Sequence, residues 1–196
     1  MKFTTTFLFF LLLTFAFPAV AQTLSDSFDQ EVAYRKTGML ILGSWAVANI
    51  GGGLAFRSAA DGSTRYFHEM NAIWNGVNLA IAGFGYYGAM KLASPSSGLA
   101  LLTEQTSMNK VLLFNAGLDL AYIAGGFYLI ERSKNVMKNI DRLEGYGQSI
   151  IMQGSFLFAF DLAMVLVHKH VRIPENLILS LQPINDGLMM GVRWGI

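Results

Sequence analysis

Four long apolar stretches, nearly free of charge, dominate the pattern of the chain. They run approximately over residues 37–56, 69–90, 110–130 and 146–168. Each holds about 20 residues or more, which is enough to cross about 30 Å of hydrocarbon as a helix. None carries the regular charged face that a helix of a soluble bundle presents to water. The pattern predicts an all-α membrane protein, a four-helix transmembrane bundle over residues 37–172.

The N-terminus has the pattern of an export signal. Lys2 precedes an apolar run over residues 7–17, and the small residues of Ala19-Val20-Ala21 follow. An apolar run of about 11 residues is too short to span a membrane, which favours cleavage. We therefore expect a signal peptide over residues 1–21 and a periplasmic N-terminal segment over residues 22–36. An uncleaved anchor is the alternative.

The C-terminus changes character after the fourth stretch. Short aliphatic runs, around 177–181 and 188–194, flank the turn sequence Asn185-Asp186-Gly187. This pattern predicts a short β-hairpin as a tail over residues 173–196. Because an isolated hairpin is only marginally stable in water, we expect the tail to pack against the bundle, the membrane surface or a second copy of the chain.

Arginine and lysine are unevenly distributed among the loops. With residue 22 outside, the loops at 57–68 and 131–145 are cytoplasmic, and together they carry six of these cations. The loop at 91–109 between them carries Lys91 alone. Cytoplasmic loops are enriched in Lys and Arg, so the distribution predicts a multi-pass protein of the bacterial inner membrane with both termini in the periplasm.

The two halves of the chain contain similar short sequences. Ile-Gly-Gly-Gly at residues 50–53 matches Ile-Ala-Gly-Gly at residues 123–126, and Asn75-Gly76 matches Gln153-Gly154. A duplicated helical hairpin, with repeats related by an axis along the membrane normal, would explain both matches. Coincidence between glycine-rich helices is the alternative.

Composition narrows the classes of function. Hydrophobic residues make up 53% of the chain and charged residues 14%, and a net charge of +1 gives no basic surface for nucleic acid. Cysteine is absent, which excludes disulfides, thiolate metal sites and iron–sulfur clusters. His68 lies at the opposite end from His168 and His170, so bis-histidine haem ligation is excluded, and the latter two are expected on a solvated flank. We expect no cofactor, no metal site and no catalytic residues.

Polar residues inside the predicted spans form the candidate site. The second stretch carries polar residues at i, i+3, i+7 and i+10, from His68 to Asn78, and these positions share one helical face. Asp119 and Asp161 lie at similar depth, where two facing carboxyl groups would share a proton. The predicted site is a polar cavity open toward the cytoplasm and lined by Asn49, His68, Asn71, Asn75, Asn78, Asn115, Asp119, Gln153 and Asp161. The alternative is that these groups only hydrogen-bond between helices and set their packing.

Several motifs embedded in the predicted helices point to one family. They are Gly-Ser-Trp-Ala-Val-Ala-Asn at 43–49, Tyr-Phe-His-Glu-Met-Asn at 66–71, and Gly-Tyr-Gly, Gln-Gly-Ser-Phe-Leu and Phe-Asp within 145–161. In these motifs the chain resembles a family of small four-helix membrane proteins from Bacteroidota, over roughly residues 35–170. That family is catalogued as a domain of unknown function. The resemblance implies a bacterial inner-membrane protein and no particular activity.

Two classes of function fit these observations. The leading hypothesis is a non-enzymatic structural or assembly component of the membrane. The alternative is a small, dimeric, proton-coupled carrier that uses Asp119 and Asp161, and an intramembrane lipid-modifying enzyme is a distant third. The expected partners are the lipid bilayer, a second copy or another membrane protein, and a small molecule whose identity is open.

Overall fold

The computed structural model describes the backbone of residues 2–171, 180–184 and 187–191, and the side chains of residues 24–171. It contains four helices and two short strands: α1 (Lys2–Arg57), α2 (Gly62–Lys91), α3 (Gly98–Ser133), α4 (Ile140–Lys169), β1 (Ser180–Ile184) and β2 (Gly187–Gly191). Short connections make successive helices alternate in direction. We call the end with the α1–α2 and α3–α4 connections the inner end, and the end with the α2–α3 connection the outer end.

The connections have local causes in the sequence. Ser97 precedes α3, and its hydroxyl accepts a hydrogen bond from the backbone N–H of Ala100 at 3.2 Å, as an N-cap does. Asn139 precedes α4 in the left-handed conformation, with φ of 61°, which asparagine tolerates better than most residues. Gly62 begins α2 at φ of 56°, a conformation that favours glycine.

The bundle is built from two helical hairpins. α1 packs along α2, α3 packs along α4, and contacts between α2 and α4 join the two pairs. A small apolar core lies where the four helices meet, and its buried members are Leu42, Ala82, Leu112, Phe160, Met164 and Val165.

Equivalent glycines bring the helices together within each hairpin. A Cβ atom at Gly53 of α1 would lie 2.6 Å from the carbonyl oxygen of His68 on α2. A Cβ atom at Gly126 of α3 would lie 2.7 Å from the carbonyl oxygen of Gly147 on α4. Only a residue without a side chain allows backbones to approach this closely. Both glycines end the two similar four-residue motifs, although duplication itself stays a prediction.

The outer surface of the helices is apolar. Large apolar side chains of the helices are exposed, among them Leu54 (62%), Phe84 (79%) and Phe114 (67%). Polar residues between the helix ends are instead buried, among them Asn75, Asp119, Gln153 and Asp161. This distribution is compatible with a protein whose helices face lipid.

Three helices of the described chain are long and apolar enough to cross a membrane: residues 24–57 of α1, α3, and α4. The second predicted span, in α2, does not reach the same mean hydropathy because Asn71, Asn75 and Asn78 fall within it. All four predicted stretches are helical, and the helices extend beyond them. The absence of charge identifies only the apolar part of each helix. The backbone hydrogen bonds of the helix continue beyond it into polar sequence.

The terminal segments have simple backbone structures. α1 is continuous through residues 22–36, and whether the chain is cleaved before Gln22 stays a prediction. β1 and β2 pair antiparallel, with Ser180 opposite Gly191 and Ile184 opposite Gly187. The strands are displaced from the two aliphatic runs of the sequence, and residues 185–186 of the predicted turn lie outside the described residues.

Candidate functional site

A layer of hydrogen-bonded side chains joins α1, α2 and α4 in the inner half of the bundle. Gln153 is fully buried; its Oε1 accepts a hydrogen bond from Trp45 Nε1 at 2.8 Å. Its Nε2 donates to Asn71 Oδ1 at 3.0 Å and to Asn49 Oδ1 at 3.3 Å. The Ser149 hydroxyl donates to the same Asn71 oxygen at 2.6 Å. We call these five residues the inner layer.

The asparagine face of α2 continues this layer. Asn75 is fully buried and donates through Nδ2 to the carbonyl oxygen of Asn71 at 2.9 Å. Asn78 donates through Nδ2 to Asn75 Oδ1 at 3.2 Å. The sequence predicts a cavity that is lined by the whole asparagine face and open toward the inner end. The structure differs, because Asn71 and Asn75 are engaged in hydrogen bonds and do not line the cavity described below.

His68 stands apart from the other predicted site residues. Its ring lies 5.7 Å from the centroid of Phe56 and 5.4 Å from that of Phe67. Nearby, Glu69 accepts a hydrogen bond from the Tyr146 hydroxyl at 2.6 Å and pairs with Arg57 at 2.7 Å. These contacts join α1, α2 and α4 at the inner end.

A cavity of about 430 Å³ lies farther along the bundle, toward the outer end. Side chains of all four helices line it, and most of them are apolar. Four of the predicted site residues meet here: Asn78, Asn115, Asp119 and Asp161. The structure thus places Asn49, Asn71 and Gln153 in the inner layer and these four residues on the cavity.

Two buried carboxyl groups form the polar end of the cavity. Asp119 is 3% exposed and Asp161 is 6% exposed. Their carboxyl groups face each other within hydrogen-bonding reach. Asp119 Oδ2 is buried and has no hydrogen-bond partner among the described residues. We call Asp119 and Asp161 the acid pair.

Aromatic rings line the same cavity as the acid pair. Trp74 of α2 and Tyr122 of α3 both line the cavity, and their rings meet edge to face with centroids 4.9 Å apart. Phe160, next to Asp161 in α4, lines it as well.

The cavity has an apolar rim formed by α2 and α3. The lining residues Val77 and Ile81 of α2 are 61% and 52% exposed, and Val111 and Leu118 of α3 are 55% and 39% exposed. In contrast, Leu42 of α1 and the acid pair are buried. The cavity therefore opens sideways between α2 and α3, through side chains that suit lipid.

A second buried polar cluster ties α1, α3 and α4 at the outer end. Glu31 contacts His168 Nδ1 at 2.9 Å and Arg35 Nε at 2.9 Å. Arg35 also pairs with Glu104 at 3.0 Å. The side chain of Gln105 donates a hydrogen bond to the carbonyl oxygen of His168. We call Glu31, Arg35, Glu104 and His168 the outer cluster.

The expectation of a solvated flank at the outer histidines is wrong for His168, which is 1% exposed, whereas His170 is exposed. Residues 22–36 extend α1 as a helix, and this extension carries Glu31 across from His168. The spacing of Glu31 and Arg35 at i and i+4 was the available signal, since that spacing places an acid and a base on one helical face.

No group of three or more histidine, aspartate or glutamate side chains suited to holding a metal ion occurs in the described part of the chain. The acid pair supplies two carboxyl groups, and the amides of Asn78 and Asn115 lie on the same cavity. Such an arrangement can bind a cation or a proton, and accept or donate hydrogen bonds.

Comparison with known proteins gives one match. No curated protein and no solved structure matches the chain. The model of a family of unknown function, DUF6992, matches residues 41–162. The matched segment contains the inner layer and the acid pair, whereas Glu31, Arg35 and His168 lie outside it. The chain therefore belongs to DUF6992, a family of unknown function.

Proposed function

We propose that this chain is a non-enzymatic, multi-pass protein of the bacterial inner membrane that binds a small molecule in its central cavity and exchanges it for a proton. Three apolar helices and the exposed apolar side chains support the membrane location. All four helices cross the bilayer in this proposal, α2 with its asparagines turned into the bundle. The arginine- and lysine-rich inner end faces the cytoplasm, and both termini lie in the periplasm.

The observation that carries this proposal is the acid pair on the wall of the cavity. An ionisable group at membrane depth is costly. Asp119 and Asp161 are both buried, and both line a cavity large enough for a small molecule. Asp119 Oδ2 has no hydrogen-bond partner among the described residues.

The acid pair gives the cavity a means of exchange. Two carboxyl groups this close in apolar surroundings do not both ionise, so they hold one proton between them. A bound cation stabilises the doubly ionised pair and displaces that proton. Binding and protonation then compete for one site, which is the requirement for a proton-coupled carrier. A second copy of the chain would complete the path across the membrane.

The inner layer favours a second candidate, a structural or assembly component. Its donors are paired across three helices, as expected of groups that fix helix packing. Under that function Asp119→Asn would leave the protein folded and active. Under the carrier function the same change would abolish pH-dependent activity without loss of protein.

Two carbodiimides of opposite solubility test the carrier proposal on the full chain in lipid nanodiscs. Dicyclohexylcarbodiimide partitions into lipid and attaches to protonated carboxyl groups that it can reach. We expect it to add one adduct at the acid pair, located by peptide mass spectrometry. A water-soluble carbodiimide should leave the acid pair unmodified and label the exposed Glu131 in the last turn of α3, at the inner end.

Asp119→Asn and Asp161→Asn serve as paired variants, and the double variant should give no adduct at either position. Absence of an adduct at the acid pair in the wild-type protein, while Glu131 reacts with the water-soluble reagent, would overturn the proposal. That result would leave the structural component as the better account.

A further inference from the structure

We propose that the ligand of the cavity is an amphiphilic amine, with an apolar body and a protonatable nitrogen, and that it enters from the lipid between α2 and α3. This inference rests on the proposed function of the acid pair and adds the chemical class and the route of the ligand.

The charge of the lining selects a cation. Asp119 and Tyr122 of α3 and Asp161 of α4 are the titratable groups of the cavity wall, and the α1 and α2 residues that line it are uncharged. Among the described residues, no lysine, arginine or histidine lines the cavity. An acid pair that loses its shared proton to a bound cation carries two negative charges, which attract an ammonium group and repel an anion.

The other polar features select a nitrogen that carries hydrogens. The carboxyl groups of the acid pair line the cavity and accept hydrogen bonds, which an N–H group would donate. The rings of Trp74 and Tyr122 line the same cavity, and an ammonium group is attracted to aromatic faces. A quaternary ammonium would gain the aromatic contact but could not donate to Asp119.

The remaining wall suits an apolar body. Met39, Met108 and Leu112 line the cavity away from the acid pair, and methionine adapts its shape to different ligands. The cavity volume of about 430 Å³ lies within the range of small-molecule sites. A compact aromatic or aliphatic chain would bury its surface here.

The route follows from what lies above and below the cavity. Gln153 of the inner layer is eight residues before Asp161 in α4, and His168 of the outer cluster is seven residues after it. Both polar layers are built of buried and half-buried side chains that hydrogen-bond or pair between helices on the two sides of the acid pair. The exposed part of the wall consists of the apolar rim of Val77, Ile81, Val111 and Leu118, together with Tyr122. A ligand dissolved in the bilayer reaches the acid pair through this rim.

Three probes with one apolar body test the ligand class. We would measure binding of phenylbutylamine, phenylbutanol and phenylbutyltrimethylammonium to the full chain in nanodiscs by calorimetry, with empty nanodiscs subtracted. The amine should bind at least about tenfold more tightly than the alcohol, which corresponds to about 1.4 kcal/mol, and the quaternary ion should fall between them. Amine binding should release protons and weaken as the pH falls, because protons compete for the acid pair.

A charge variant provides the matched control. Asp119→Asn should lower the affinity for the amine at least about tenfold and leave the weak binding of the alcohol unchanged. Glu131→Gln, which removes an exposed carboxylate remote from the cavity, should change neither affinity. Equal affinities for amine and alcohol in the wild-type protein would overturn the ligand class.

The absence of cysteine allows a separate test of the route. Leu118→Cys places a thiol on the rim, and Leu113→Cys places one on an exposed part of α3 that does not line the cavity. After reaction with a bulky, lipid-soluble maleimide, the first variant should lose amine binding and the second should retain it. Full binding by the labelled Leu118→Cys protein would overturn entry through the rim.

The outcomes separate this inference from the proposed function. Carbodiimide labelling of the acid pair without preference for the amine would refute the amine and retain the exchange site. Absence of labelling would remove both. A third outcome is a dimeric protein that binds no amine and in which the Leu118→Cys thiol does not react with the maleimide. That outcome would show that a second copy covers the cavity, and it would also overturn the inference.

Discussion

The inner layer and the acid pair both consist of buried polar residues in the same bundle, but they differ in whether those residues have hydrogen-bond partners. They are separated by eight residues along α4, or about 12 Å of helix. In the inner layer, Gln153 bonds to side chains of two other helices. At the acid pair, one carboxylate oxygen of Asp119 has no hydrogen-bond partner in the described structure, and both acidic residues line a cavity.

The difference follows from how closely the helices approach. Near the inner end, Gly53 brings α1 onto α2, and Gly145 brings α4 onto α2. Side chains of these three helices then reach one another directly. Around the acid pair, α2 and α3 both line the cavity, which separates the polar groups of the two helices. Helix spacing, more than residue type, decides whether a buried polar group packs or remains available to a ligand.

The largest expected effect comes from breaking the inner layer. Gln153→Ala removes three hydrogen bonds and leaves a buried void, so we expect the free energy of unfolding to fall by about 3 kcal/mol. Unfolding in detergent followed by circular dichroism measures the change. Gln148→Ala is the control, because Gln148 is exposed and lies on the same helix. Equal effects of the two substitutions would contradict the structural role of the layer.

A slightly smaller effect is expected from separating α3 and α4. Gly126→Ala places a methyl group against the Gly147 carbonyl and the Ile151 side chain, at a cost of about 2 kcal/mol in unfolding free energy. Gly125→Ala, one residue earlier, meets open space and should be neutral. Thermal unfolding of both variants in nanodiscs checks the pair, and a tolerated Gly126→Ala would show that the backbones are not in close contact.

Substitution in the acid pair should not lower stability, in contrast to the two substitutions above. Asp119→Asn removes a buried acid without filling the cavity, so stability should stay constant or rise by about 1 kcal/mol. The measurement is the denaturation midpoint of the variant beside that of Gln153→Ala. A loss of stability as large as that of Gln153→Ala would show that the acid pair serves packing after all.

The smallest effect is expected at Asn78, which lies between the two regions. It makes one hydrogen bond to Asn75 within α2 and also lines the cavity. Asn78→Ala should therefore reduce the free energy of unfolding by about 0.6 kcal/mol, no more than the average for a side-chain hydrogen bond in a membrane protein. Chemical denaturation with replicate midpoints can resolve this difference, and a loss above about 2 kcal/mol would place Asn78 in the inner layer.

The sequence predicts the four helices well because apolar stretches without charge have few other folds. It also places Asp119 and Asp161 at similar depth, since helical rise converts residue number into distance. It does not show that Asn71 and Gln153 are paired whereas Asp119 is exposed to a cavity, because that distinction depends on the spacing of helices distant in sequence. Nor does it show the outer cluster, because the partners Glu31 and His168 lie 137 residues apart.

The sideways opening between α2 and α3 has a consequence for measured affinity. In the membrane location proposed above, acyl chains would surround the rim at far higher concentration than any solute, and a ligand would have to compete with them. Bilayers with more flexible or shorter chains should therefore shift the apparent affinity at constant protein sequence. Lipid composition would then regulate occupancy of the cavity.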